Sequence, residues 1–184
     1  GRILSLVSDA GTPVLSDPGR LLVNHCLKNG IEITPIPGVS SITSAISVSG
    51  FSDQFLFYGF LPKTEKELEK ILLSVSSYPF TLVFFITSKK LNFYIKSFKK
   101  FFSGRKIMIA KEITKIYESF IRKSVDELDV FKDPLKGELT IVISEKNNKN
   151  KTYDEEKIVN KIKKYLKKYS LKDTVNLILE TEKI

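Results

Sequence analysis

The feature that most constrains this chain is a strand, a Gly/Pro-rich loop and a helix, repeated twice within the first fifty residues. Residues 3–8, Ile-Leu-Ser-Leu-Val-Ser, are a short apolar run of strand length. A loop, 9–19, follows. Asp17-Pro18 within it is an N-cap and N1 pair, which predicts a helix running to Asn29 with Gly30 as its stop. Residues 31–36 read as the next strand. Pro37-Gly38 then turns the chain, and Ser40 opens a helix that stops at Gly50. Such a doublet predicts parallel strands joined by crossover helices, an α/β fold. In sheets of that kind ligands gather beyond the carboxyl ends of the strands, which is where both loops fall.

The character changes after residue 50. Residues 54–60 form an aromatic strand ended by Pro62, and Thr64 with Glu67 makes a capping box for a helix over 65–77. Strands are predicted at 80–87, 106–110, 117–122 and 138–144, with a helix over 89–102. Ser124 and Glu127 form a second capping box. Residues 145–152 are a polar linker, followed by two amphipathic helices over 154–169 and 171–182. The reading is a first α/β domain over 1–52, a second over 53–145, and a linker with C-terminal helices over 146–184. The chain starts and stops inside regular patterns, so it is expected to be a piece of a longer product, with the first domain incomplete.

Charge follows the same division. The net charge is +9, but residues 1–62 carry −1 and residues 63–184 carry +10. A near-neutral part joined to a basic part suits a small-molecule site coupled to a polyanion. Lysine outnumbers arginine 26 to 4, so a generic lysine-rich surface is the competing reading. No apolar run reaches the ~18 residues of a membrane span, and no signal peptide is read at the start. Cys26 and His25 are single, which excludes an internal disulfide, a Cys/His zinc site and a His-rich metal centre; both are expected to pack within the first helix. The cytoplasm is the expected compartment.

Loop 9–19 lacks the G-x-G-x-x-G fingerprint and the P-loop lysine, so it is not a phosphate cradle of either kind. Gly11 allows close backbone approach, Pro13 stiffens the turn, and Asp9 and Thr12 offer polar atoms. A neutral or zwitterionic ligand held by backbone groups fits this composition; a rigid connection with no ligand fits it as well. Ser40 and Ser41 in the second loop are either helix caps or hydroxyls aimed at the same ligand.

Seven segments stand out: Ser8-Asp9-Ala10-Gly11-Thr12-Pro13, Ser16-Asp17-Pro18-Gly19, Pro35-Ile36-Pro37-Gly38-Val39-Ser40-Ser41 and Ser49-Gly50-Phe51, then Phe57-Tyr58-Gly59-Phe60-Leu61-Pro62, Lys111-Glu112-Ile113-Thr114-Lys115-Ile116-Tyr117-Glu118 and Leu135-Lys136-Gly137-Glu138. In this order they resemble the ribosomal RNA small subunit methyltransferase I family of the tetrapyrrole methylase-like superfamily. The resemblance implies two α/β domains with S-adenosylmethionine in the cleft between them. It also implies 2′-O-methylation of a cytidine in the decoding region of 16S rRNA in the small ribosomal subunit, by a cytoplasmic homodimer. Carried over by position, the cofactor contacts are Ala10, Gly11, Thr12, Leu15, Ser40, Ser41, Ile86 and Ala110, and Asp9 and Pro13 of the same loop join them as cofactor-binding candidates. The family's N-terminal strand with its Pro-Ile-Gly-Asn-Leu loop is missing from these residues. A Glu-Ser-Pro-His-Arg-like stretch is replaced by Ile86-Thr87-Ser88-Lys89-Lys90, which keeps the charge and loses the histidine and the acid.

Methyl transfer from a sulfonium depends chiefly on placing the nucleophile in line, and a ribose hydroxyl gains from a base. Lys111 and Glu112, directly after the strand 106–110, are the candidate catalytic residues, with an ordinary surface ion pair as the alternative. Lys89, Lys90, Lys115, Arg122 and Lys123 are the candidate RNA contacts, with a further set in the tail (Lys161, Lys163, Lys164, Lys167, Lys168). Tyr117 and Tyr58 are candidates for stacking on a splayed-out base. No metal site is expected. Two other functions stay open on sequence: a small-molecule methylase of tetrapyrrole type, and a non-catalytic RNA-binding fragment.

Overall fold

The computed structural model describes residues 2–133, 135–146 and 155–182. Residues 1–146 and 147–184 form two separate compact units. The elements of the first are α1 (Arg20–Lys28), α2 (Ser41–Ser49), β1 (Phe55–Phe60), α3 (Glu65–Ser76), β2 (Thr81–Thr87), α4 (Leu91–Phe102), β3 (Lys106–Lys111), β4 (Ser119–Ser124) and β5 (Glu138–Ile143). A single 3-10 turn, Ser88–Lys90, leads into α4. The second unit contains α5 (Glu155–Leu166) and α6 (Leu171–Glu182).

The sheet has the order β1-β2-β5-β3-β4. β1 pairs parallel with β2 through the crossover helix α3, and every other pairing is antiparallel. The α/β class therefore holds, but the sheet is mixed rather than parallel. β2 and β5 lie inside it and are covered on both faces. That is why Thr-Leu-Val-Phe-Phe-Ile-Thr and Glu-Leu-Thr-Ile-Val-Ile read as nearly continuous apolar runs without alternation. One face carries α3 and α4, with Leu68, Leu72, Phe98 and Phe102 packed on Leu82, Phe84, Ile109 and Ile141. The other face carries α2, whose Ile42 and Ala45 cover Val83, Met108 and Val142.

Several sequence expectations are corrected. Residues 3–8 and 31–36 have strand-like patterns but form no ladder with any described strand. A strand is a pairing, and the pattern of one segment does not supply its partner; Ile3, Leu4, Val7 and Ile36 accordingly stand exposed. The helix expected from Asp17-Pro18 begins only at Arg20, because residue 19 takes φ 126°, outside the helical region. The second capping box caps no helix. Ser124 and Glu127 close one turn, through the Glu127 N–H to the Ser124 carbonyl, that buries Val125 and Leu128 in the core. The strand expected over 117–122 is displaced by two residues, since Tyr117 and Glu118 belong to the turn before it. Cys26 is half-buried and His25 is exposed rather than packed.

Candidate functional site

β1, β2 and β3 run one way, while β4 and β5 run the other. The carboxyl ends of the first three therefore share one edge with the amino start of β5. A cavity of about 470 Å³ opens at that edge. Its sheet wall is Phe60 from β1, Phe85 to Thr87 from β2, Ala110 from β3, and Glu138 to Thr140 from β5 with Gly137 before it. Loop 9–19 supplies Ala10, Gly11, Thr12, Leu15, Ser16 and Asp17. The start of α2 supplies Ser40, Ser41, Ile42 and Ser44, with Val39 ahead of it.

The two loops are tied to each other and to the sheet. Thr12 Oγ1 donates to the Val39 carbonyl at 3.3 Å, and Ser8 Oγ donates to the Gly11 carbonyl at 3.1 Å. A Cβ on Gly59 would meet Ser16 Oγ at 3.1 Å, and Gly59 sits at φ 95° beside a register shift in β1. A side chain there is disfavoured both by the backbone and by the approach of the loop. Val14 and Ser16 take φ 75° and 64°. Positive φ costs most at a β-branched residue, so loop 9–19 holds a strained shape set by its neighbours.

On the opposite wall the β3–β4 connection contributes Ile113, Thr114 and Lys115. Lys115 Nζ lies 3.1 Å from both Glu112 Oε1 and Glu138 Oε2. The Glu138 N–H donates to Glu112 Oε1 at 2.8 Å. That backbone donor, and then Lys115, hold the Glu112 carboxyl below the ordinary carboxylate range; the two carboxylates push Lys115 up. Gly137 lies directly against the Glu112 carboxylate, which leaves no room for a Cβ, and its φ of 95° disfavours any side chain there.

The family model for tetrapyrrole (corrin/porphyrin) methylases matches residues 4–129. A protein from Thermotoga maritima named ribosomal RNA small subunit methyltransferase I is 41% identical over 150 residues, covering 79% of this chain and 67% of that one. A Rickettsia prowazekii protein of the same name is 41% identical over 78% of this chain and 52% of its own length. The chain belongs to the ribosomal RNA small subunit methyltransferase I family of tetrapyrrole methylases. It spans between half and two thirds of the length of these relatives. A solved Thermus thermophilus uroporphyrin-III C-methyl transferase, complexed with S-adenyl homocysteine, shares the fold with a TM-score of 0.51. It is 16% identical, over 73% of this chain and 62% of that one.

Eight of the ten candidate cofactor residues line the one cavity: Ala10, Gly11, Thr12, Leu15, Ser40, Ser41, Ile86 and Ala110. Asp9 and Pro13 do not line it. Of the RNA candidates only Lys115 does. Lys90 lies over the Phe93 ring, and Arg122 donates to the Val48 carbonyl. Lys111 lies 6.0 Å from the Tyr117 ring centroid, and neither it nor Glu112 lines the cavity. Sequence reasoning missed Phe60, Phe85 and the strip Gly137 to Thr140 as cavity wall. The signal for the last was Gly137 itself, a glycine placed just ahead of a buried strand. Among the described residues no cluster of His, Cys, Asp or Glu suits a metal ion, and no helix is long and apolar enough to cross a membrane.

Proposed function

We propose that this chain carries the S-adenosylmethionine site and the methyl-transfer centre of a ribosomal RNA 2′-O-methyltransferase, acting on a cytidine of the 16S rRNA decoding region. The observation that carries the reading is convergence. Two loops 27 residues apart, each marked in sequence, meet the ends of β1, β2 and β3 on one cavity. That cavity belongs to a chain 41% identical to relatives named for ribosomal RNA methylation.

The donor set fits the cofactor. Its size lies within the ~300–1,000 Å³ of small-molecule sites. Leu15, Ile42, Ile86, Ala110 and Ile113 offer apolar wall to an adenine ring. Thr12, Ser40, Ser41 and Thr140 offer hydroxyls to a ribose and an amino acid tail, and Asp17 and Glu138 favour a cation. When bound, S-adenosylmethionine supplies a methyl group on a sulfonium whose leaving group is a neutral thioether. The work of the protein is then to dock the cofactor, exclude water, and bring the ribose hydroxyl in line. Lys115 is the cation at the cavity wall and suits a backbone phosphate of the acceptor. Glu112 and Lys111 enter as groups that shape this wall. A carboxylate held below its usual range, with Glu138 and Lys115 on its oxygen, is a weak proton acceptor. Residues 1–52 belong in this reading to the cofactor domain and 53–145 to the second domain. The enzyme is a cytoplasmic homodimer working on the small subunit. Lys89, Lys90, Arg122 and Lys123 add sequence-independent phosphate binding.

The test is calorimetric titration of the folded 184-residue chain with S-adenosylmethionine. Saturable binding that Ser40→Leu weakens at least tenfold is expected. A cooperatively folded chain with no binding contradicts the proposal that these loops hold the cofactor.

A further inference from the structure

Ile116 and Tyr117 stand at the tip of the β3–β4 connection, 94% and 74% exposed. Single exposed apolar residues are ordinary. Two adjacent ones on a braced turn are different, because two residues of the turn are held at positive φ while these side chains bury little in return. The Lys115 N–H donates to the Glu112 carbonyl at 2.9 Å, and the Glu118 N–H to the Lys115 carbonyl at 3.1 Å. The Thr114 N–H donates to Glu118 Oε2 at 2.6 Å, and Lys115 bridges Glu112 and Glu138. Glu112 and Thr114 take φ of 50° and 68°. Non-glycine residues held there are strained and persist only where the surroundings over-determine them. The same turn contributes Ile113, Thr114 and Lys115 to the cavity, so its tip stands at the cavity rim.

We propose that Tyr117, with Ile116 beside it, is a stacking platform for an unpaired nucleobase next to the nucleotide that enters the cavity. Lys111, 6.0 Å from the ring centroid, meets that nucleotide's phosphate. The inference rests on the RNA reading above and adds the element that grips the strand. Every base has a π-face, and stacking on an aromatic side chain is worth about 1–3 kcal/mol per base. A ring carried on a braced turn loses less entropy on binding than one carried on a mobile loop. Size decides against a protein partner. A stable protein interface buries about 1,200–2,000 Å² in total, of which two side chains supply a small part, whereas one base needs only one ring.

The experiment uses the 184-residue chain, S-adenosylmethionine, and a single-stranded oligoribonucleotide with 2-aminopurine beside a cytidine. Wild type, Tyr117→Phe, Tyr117→Leu and Tyr117→Ala are compared, with thermal unfolding confirming that each is folded. Wild type and Tyr117→Phe should bind alike and quench the 2-aminopurine. Tyr117→Leu and Tyr117→Ala should bind about 5- to 150-fold more weakly, without quenching, following the stacking energy. The slope of log Kd against log salt should stay constant, since every phosphate-binding cation is kept. Equal binding by wild type and Tyr117→Ala overturns the platform and leaves the RNA reading standing. An equal loss on a fully paired duplex also overturns it. A wild-type chain that binds cofactor but no RNA overturns both.

Discussion

Glu112 shows how one side chain shapes a wall without facing the cavity. Its carboxylate accepts the Glu138 N–H, pairs with Lys115, and occupies the notch left by Gly137. Its folded-state pKa is lowered, so it contributes stability above its unfolded value of about 4.3, and that contribution is lost as pH falls through the folded value. Asp126 and Glu145 shift the same way, each chiefly through a backbone N–H, from Gly104 and Ser52 respectively. Lys115 is shifted upward, so its contribution is present below about pH 10 and is lost as pH rises through the folded value. Glu112→Gln should therefore flatten both the acid and the alkaline limbs of the unfolding temperature against pH. Limbs identical to wild type would show that the carboxylate carries no such coupling. Gly137→Ala should cost about 2 kcal/mol through its positive φ and the crowded carboxylate. Less of that cost should appear in a Glu112→Ala background, because the two positions press on each other. Chemical denaturation of the four proteins measures this.

At the scale of elements, the loops and the five strands of the sheet were legible, and the pairing of those strands was not. Loop 9–19 and Ser40-Ser41 announced themselves through glycine, proline and small hydroxyl residues, whose turn chemistry is local. Eight of the ten candidate cofactor residues line one cavity. Helix α6 and the start of α3 followed from periodicity and capping pairs, although Thr64 Oγ1 bonds the Glu67 carboxylate at 2.6 Å and no backbone N–H. Residues 3–8 and 31–36 failed because pairing is non-local. The antiparallel entry of β5 between β2 and β3 was equally invisible, since an apolar strand buried on both faces carries no sign of its direction. Gly137 to Thr140 was missed for the same reason: its cavity role comes from the neighbours β5 acquires. Gly59 is the joint between the two kinds of information, a local bulge that admits a distant loop. Gly59→Ala should lower S-adenosylmethionine affinity about tenfold by displacing Ser16, with the unfolding temperature changing by only a few degrees. Titration calorimetry beside a melting curve checks it; an unchanged affinity would mean loop 9–19 does not depend on that approach.

For the whole molecule, charge and fold divide the labour. Residues 1–62 carry −1 and contribute both loops of the cavity, while residues 63–184 carry +10. Residues 1–146 form a compact unit of their own. A chain ending at Lys146 should keep cofactor binding, and its RNA affinity should depend less steeply on salt. On a single strand the slope falls by roughly 0.7 for each phosphate that is no longer neutralised. An unchanged slope would assign the tail lysines to solvated surface. The proposed methylation of a ribose hydroxyl of ribosomal RNA at this cavity is open to direct assay. The most direct measurement incubates the chain with small ribosomal subunits lacking the modification and S-adenosylmethionine labelled in the methyl group, then digests the RNA to nucleosides. Label is expected in 2′-O-methylcytidine and should be abolished by Ser40→Leu. Label in a base, or none from a chain that binds both cofactor and RNA, would contradict the proposal.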